Sequence, residues 1–517
     1  MKKVKGIVRK NPKGFDLWTH SARVLKKMPQ GKRLKDEVDV LIRNSEVDTQ
    51  FSNKCARAAQ RFGEDPDLKD QEGRRDLKKI PFCTIDGETA KDFDDAVFGY
   101  REGKKRGVIV AIADVGHYVQ KDSPIDIDAL KRSTSIYYPG HCIPMIPESL
   151  SNGLCSLKPK VPRLCLYVQM SIGPLGKVNS VEVGEGVMKS QARLTYSQVQ
   201  KLIDSDFKAS AKIPKAVVSS IEVLREISQA LRDERENRGS IDFDAVESVI
   251  KLNDQGEPVS IRPAERLEAH RLIEDLMIAA NEAVARYLEE RDIQTVFRIH
   301  EPPNSEKLKL FGTMAQSMGA LTPAHIKLLE KARESPAALA KILDSFKDHP
   351  AKATLESALL RSMMQARYSS KNVGHYGLAS KHYLHFTSPI RRYPDLIVHR
   401  ILRSTWSKQK TQAGSLDEIA DHCSQQERKA TDLERQISAL YATWFMQDKV
   451  GEQFAGRVTN QTDFGLFIRL ESHFVEGLVH VSTLRAGLME RCSIGTQVQV
   501  RVMGVNLSRR FVDFKLV

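Results

Sequence analysis

The alternation of apolar and polar positions divides this chain into a long mixed body and a short all-β end. Gly107-Val-Ile-Val-Ala-Ile-Ala-Asp-Val115 is a continuous apolar run of strand length, which predicts a strand buried on both faces. The apolar runs Ile80–Ile85 and Ala96–Phe98 flank a polar stretch and predict a strand, a tight loop and a second strand. From Leu267 to Glu290, Leu272, Leu276, Ala279, Ala283 and Tyr287 fall on one side of a helix. Further helices are expected over 305–319, 335–346, 352–368, 395–408 and 416–446. Past residue 447 the pattern changes. The runs 454–458, 464–470, 476–481, 497–502 and 511–515 predict five strands, enough for a small Greek-key OB barrel.

At the other end, Val4–Val8, the Asn11-Pro-Lys-Gly14 turn and Phe15–Trp18 read as strand–turn–strand. Asp36-Glu-Val-Asp-Val-Leu-Ile42 alternates like another strand, so residues 1–45 predict a small, β-rich, OB-like module. There Phe15 and Trp18, beside lysines, are candidates for stacking bases or for a small core. Residues 46–75 are highly charged and read as a linker with a short helix. The expected organisation is therefore 1–45, 46–75, an α/β (α+β) body over 76–447, and a β-barrel over 448–517.

Charge adds a direction to this picture. Of the net +14, residues 1–45 contribute +9 and residues 449–517 contribute +3, leaving the long middle close to balance. Basic ends on a near-neutral body suggest polyanion-gripping modules around a catalytic core. The seven cysteines form no CxxC pair and no HExxH occurs, which argues against a disulfide framework and a zinc site. No apolar run reaches membrane-spanning length, and a signal-peptide pattern is lacking, so a reduced, cytoplasmic protein is expected.

The chemistry concentrates in Thr84–Val97, where Asp86, Asp92, Asp94 and Asp95 lie within ten residues. Carboxylates so close repel one another unless cations sit between them. Hard cations such as Mg²⁺ take all-oxygen shells that leave room for water and phosphate, and two of them about 3.5–4 Å apart form a phosphodiester clamp. A solvated acidic loop is the plain alternative, disfavoured by the apolar flanks. A second segment, His385-Phe-Thr-Ser-Pro-Ile-Arg-Arg-Tyr-Pro-Asp395, offers two guanidinium forks for phosphate, although surface ion pairing would explain them equally.

Asp-x5-Asp-x-Asp-Asp after a Thr-Ile-Asp strand resembles the active-site motif of the ribonuclease II (RNB) exoribonucleases, closest to their ribonuclease R branch. The resemblance runs from about Asp76 to the C-terminus and includes His385–Arg400 as the second signature. It implies metal binding by the four aspartates, with Asp94 and Arg391 catalytic and Arg392 a secondary phosphate contact. Ser135-Ile-Tyr-Tyr-Pro-Gly140 and Gly239-Ser-Ile-Asp-Phe243 are similar to segments whose aromatic residues, here Tyr137 and Phe243, clamp bound nucleotides. Tyr196 and Glu274 match positions near the ribose of a terminal nucleotide, where a phenol and a carboxylate can read a 2′-OH. Glu434 matches a further acidic position at the RNA. The end of the chain resembles an S1-type RNA-binding domain, with Phe464, Phe467 and His480 as its stacking platform. Compared with that branch, the N-terminal part is short and no basic tail follows the barrel.

Together these features imply a monomeric, cytoplasmic, Mg²⁺-dependent enzyme with two ions, replaceable by Mn²⁺. It would degrade single-stranded RNA from a free 3′ end, processively, to nucleoside 5′-monophosphates and a short remnant. Two other readings are a non-catalytic RNA-binding protein that keeps the fold, and a single-strand DNase. The complete acidic cluster with Arg391 argues against the first, because a pure binder gains nothing from carboxylates that repel phosphate. The Tyr196/Glu274 match argues against the second.

Overall fold

The computed structural model describes residues 33–103, 105–205, 211–243, 247–406, 415–484 and 487–517. Phe15, Trp18 and the expected strand–turn–strand near the N-terminus lie outside these residues. The first described element differs from the expected strand. Leu34–Asn44 is a helix, α1, not a strand, because Leu34, Val38, Leu41 and Ile42 repeat at helical spacing and Arg33 with Asp36 closes the first turn. Leu34, Val38 and Ile42 are buried while Val40, which completed the apparent alternation, faces solvent. A second helix, α2 (Asn53–Ala59), buries Cys55 and Ala59 in the main core, so part of the charged 46–75 segment packs on the body.

The body is built on a seven-stranded sheet. Its strands are β1 (Arg75–Leu77), β2 (Cys83–Asp86), β3 (Asp95–Glu102) and β4 (Lys105–Ala113), then, after a separate ribbon β5 (Ile136–Tyr138) and β6 (His141–Ile143), β7 (Pro162–Ile172), β8 (Val178–Lys189) and β9 (Ala192–Thr195). The order is β1-β8-β7-β4-β3-β2-β9, antiparallel through the middle and parallel at both edges. The apolar run at 107–113 forms the central β4, whose Val108–Ala113 are buried as expected of a strand covered on both faces.

Helices cover this sheet. After α3 (Pro124–Arg132) and α4 (Tyr196–Ile203), α5 (Lys215–Arg238) packs on β3, and α6 (Glu268–Glu289) inserts Leu272, Leu276 and Ala283 into the same core. Between them a ribbon, β10 (Ser248–Leu252) and β11 (Pro258–Pro263), leaves the body. Helices α7 (Ser305–Ser317), α8 (Pro323–Glu330), α9 (Pro336–Ser345) and α10 (Lys352–Ser362) make a second, smaller core around Phe311, Leu339 and Phe346. The helix expected over 352–368 stops at Ser362, where the Ser362 hydroxyl donates to the Leu359 carbonyl. Arg367–Ser369 is instead a strand, β13, paired with β12 (Phe297–Ile299). Finally α11 (Tyr393–Trp406) and the long α12 (Leu416–Phe445) lead to the barrel.

Gly239 shows how tightly α5 meets the small core. It ends α5 at φ +90°, and a Cβ there would lie 2.3 Å from the Cα of Ala337. Left-handed geometry alone costs a substituted residue about 1–2 kcal/mol. Gly239→Ala should therefore lower the melting temperature by several degrees, as thermal unfolding by circular dichroism would record.

The barrel is closed by five strands, β14 (Gln453–Thr462), β15 (Gly465–Leu470), β16 (Glu476–His480), β17 (Gln497–Asn506) and β18 (Phe511–Leu516), in the order β14-β15-β16-β18-β17. Its core of Val458, Leu466, Ile468, Val500 and Phe514 also takes in Ile261 from β11 and Met446 beyond α12. The barrel is thus seated on the body by shared apolar packing and not hung from it by a linker.

Candidate active site

The acidic stretch forms the loop between the two neighbouring antiparallel strands β2 and β3. Asp86 is the last residue of β2 and Asp95 the first of β3, with Asp92 and Asp94 in the connection. Backbone contacts brace this loop from both sides. Ser156 accepts from the Phe93 amide at 3.0 Å and donates to the Lys91 carbonyl at 2.7 Å, and Leu157 donates to the Phe93 carbonyl. Arg193 donates to the carbonyls of Gly87 and Glu88. Leu150, Leu154, Cys155 and Leu157, all buried, fasten the Ser156 segment to the main core.

The second signature approaches from 296 positions away in sequence. The buried Asp94 carboxylate accepts from the Ile390 amide at 2.8 Å and lies 3.5 Å from Arg391 Nε. Arg391 also donates to the Ser388 hydroxyl at 3.0 Å, and its side chain remains 44% exposed, so the guanidinium keeps a face toward the open site. The loop that carries it is fixed by Asp395, whose Oδ1 accepts from the Ser388 amide at 2.7 Å and from Arg392 at 2.8 Å. Asn281 on α6 accepts from the Phe386 amide, and the Arg391 carbonyl accepts from the Ser135 amide at the foot of the β5–β6 ribbon.

Electrostatics within the cluster are strained by burial. Desolvation lifts the Asp94 carboxyl well above the usual carboxylate range against the pull of Arg391. Burial, with Asp86 nearby, raises Asp95 to about 7. Asp86 is also raised, by burial first and by Asp92 in addition. Asp95 Oδ2 is buried and has no hydrogen-bond partner. Arg391 acts on all three of these carboxyls and Arg193 on Asp86 as well, yet the cost of burial outweighs them. Among the described residues no three carboxylate, histidine or cysteine side chains converge closely enough as they stand to hold a metal ion. The donor set nonetheless fits one, being all oxygen, acidic and left with an orphaned buried oxygen.

The remaining candidate residues fall at different distances from this centre. Tyr137 on β5 is 40% exposed, and its hydroxyl donates to Asp92 Oδ2 at 2.8 Å. Glu434 on α12, half-buried, accepts from the Tyr137 amide at 2.8 Å, so it holds the ribbon that carries the tyrosine. Tyr196 opens α4, with its ring centroid 4.1 Å from that of His270 on α6, and both Asp86 and Asp95 add to burial in raising its hydroxyl pKa. Glu274 on α6 pairs with Arg266 at 2.9 Å, and Arg266 also grips Asp242, the neighbour of Phe243. Phe243 packs, partly buried, against the small helical core. Arg392 is largely enclosed and committed to Asp395. On the barrel, Phe464 is 42% exposed and meets Phe467 edge-on at 5.9 Å, while His480 bonds the Ser482 hydroxyl at 2.8 Å. These barrel residues contact one another and near neighbours within the barrel.

Residues not singled out from the sequence alone include Ser156, Ser388, Asp395, Asn281 and Arg193. Each works through a backbone contact, which side-chain chemistry along a sequence does not announce. Ser388 and Asp395 at least lie inside the His385–Asp395 signature, which held a hint of their importance.

An RNB domain matches residues 74–408, about two thirds of the chain. The chain belongs to the RNB family. An S1 RNA binding domain matches residues 447–516, the five-stranded barrel. Among curated RNB proteins, ribonuclease R of Vibrio cholerae is 38% identical over 513 residues, covering 93% of this chain and 61% of that protein. Ribonuclease R of Escherichia coli is 37% identical, covering 93% and 62%. This chain thus spans less than two thirds of the length of those relatives. Mycoplasma genitalium RNase R, solved in complex with ribose-methylated single-stranded RNA, superposes with a TM-score of 0.87 at 27% identity, covering 94% of this chain and 78% of the other. No helix among the described residues is long and apolar enough to cross a membrane.

Proposed function

We propose that this RNB protein is a hydrolytic 3′-to-5′ exoribonuclease acting on single-stranded RNA in the cytoplasm, as a monomer. The observation that carries the reading is the Ile390–Asp94 hydrogen bond, which sets Arg391 beside an acidic loop under-supplied with positive charge. Membership of the RNB family and likeness to ribonuclease R support the substrate class and polarity. The division of labour we propose is catalysis by 76–447 and RNA capture by 448–517, with 1–45 a basic accessory module joined through 46–75.

Asp86, Asp92, Asp94 and Asp95 would hold two Mg²⁺ ions, with Mn²⁺ as a substitute. Such ions supply Lewis-acid polarisation of a phosphoryl oxygen and lower the pKa of water. The chain's own groups do the rest. Tyr137 and Phe243 stack on terminal bases, an interaction that tolerates any base. Tyr196 and Glu274 meet the 2′-OH and favour RNA over DNA. Arg391 receives the charge that grows on the terminal phosphate as water adds to phosphorus and the 3′ oxygen of the preceding nucleotide departs. Arg392, held by Asp395, keeps the Arg391 loop in shape and adds positive potential at the phosphate. The product is a nucleoside 5′-monophosphate, and digestion halts at a short oligonucleotide that no longer fills the clamp.

Incubating 5′-labelled single-stranded RNA with the protein and Mg²⁺ tests this. A descending ladder is expected, blocked by a 3′-phosphate and indifferent to a 5′ block. Cleavage of a circular RNA would overturn the exonuclease reading, and binding without cleavage would favour an RNA-binding protein. On the barrel, Phe464→Ala should weaken RNA affinity by about 1–3 kcal/mol. Single-turnover cleavage at saturating enzyme should stay unchanged, as fluorescence anisotropy and rapid quench would show.

A further inference from the structure

The proposed clamp and the proposed metal site share a bond that neither role predicts. The Tyr137 hydroxyl donates to Asp92 Oδ2 at 2.8 Å, so a carboxylate wanted by a cation is engaged by an aromatic wanted by a base. The tyrosine is well supported in this position. Its amide is fixed by Glu434 at 2.8 Å, and its ribbon is seated by Ile136 and Ile143 on a cluster with α1 and α12. The residue is nonetheless 40% exposed, and its cross-strand neighbour, Cys142, is exposed as well, so solvent borders the tyrosine on this side. Asp94, by contrast, is tied by the Ile390 amide and faces Arg391, a cation and not an aromatic ring.

We propose that Tyr137 is a latch that holds Asp92 away from cations until a 3′-terminal nucleotide draws the ring into a stack. The inference rests on the exoribonuclease reading and adds an order of events to it, with RNA and metal each binding more tightly when the other is present. A group that occupies a ligand in one state and releases it in another produces this reciprocity by thermodynamic necessity. Glu434 is then a positioning residue that aims the latch, acting through the Tyr137 amide and not through RNA.

The test is Mn²⁺ binding to the RNA-free protein, followed by electron paramagnetic resonance and calorimetry. Tyr137→Phe keeps the ring and removes the competing donor, so it should bind Mn²⁺ about tenfold more tightly than the parent, the scale expected for a lost hydrogen bond to a charged group. Tyr137→Ala should tighten Mn²⁺ binding similarly while weakening oligoadenylate binding measured in chelator. Melting curves establish that both variants are folded. Unchanged or weaker Mn²⁺ binding by Tyr137→Phe would overturn the latch, because the hydroxyl would then be orienting Asp92 for the metal. Absence of Mn²⁺ binding by every form would overturn the metal-dependent reading itself, a different outcome from failure of the latch.

Discussion

Asp94→Asn is expected to remove almost all turnover while leaving the fold and RNA binding intact. The amide is nearly isosteric, and its oxygen can still accept from the Ile390 amide, so the two signature loops stay docked. What disappears is the negative charge that faces Arg391 and would hold a cation. A fall on the order of 10³-fold in the single-turnover rate is expected, the scale for deleting one preorganised electrostatic group. Oligoadenylate affinity in chelator should hold or improve, since one source of phosphate repulsion is gone. The melting temperature in chelator should hold or rise, because burial disfavours charge on the parent carboxyl and the neutral amide carries none of that cost. Turnover like that of the parent would remove Asp94 from the chemistry.

The second large effect is expected at Arg391, and lysine is the informative replacement. Arg391→Lys keeps a positive charge but loses the planar fork that reaches Ser388 and Asp94 together. The rate should drop by roughly 10²–10³-fold with RNA affinity changed little, since the interaction strengthens only as charge develops on the phosphate. The contrast between kcat and KM is decisive here. A variant that loses affinity but not rate would make Arg391 a binding residue alone. Retention of both the parent's rate and its affinity by Arg391→Lys would show that any cation suffices.

These expectations draw unequally on sequence and structure. The strand–loop–strand around the aspartates was legible because apolar flanks on a polar turn have few other solutions, and β2 and β3 fall where the pattern puts them. The same holds for β4, for α6 and for the five barrel strands. The strand expected at Asp36–Ile42 failed because a short window with Val at 38 and 40 fits two periods. The packing of Leu34, Val38 and Ile42 against α12 selected the helical one. The helix over 352–368 was cut short because Arg367–Ser369 found a partner strand at 297–299, a pairing invisible to local periodicity.

The candidate site divides along the same line. The sequence by itself determined the chemistry available: four aspartates in one short stretch, two arginines in another, aromatics before and after them, and a barrel of RNA-binding type. Those follow from residue identity and close spacing, which local rules can read. Only the tertiary structure decided which of these meet. It joined Asp94 to Ile390 across the chain, gave Asp395 the task of shaping the arginine loop, and set Glu434 on the backbone of Tyr137. It buried Asp95 Oδ2 without a hydrogen-bond partner and seated the barrel on Ile261 and Met446. The physical reason is that long-range contacts are chosen by the shape of the packed core and by the need to satisfy buried polar groups, neither of which exists until the chain has folded.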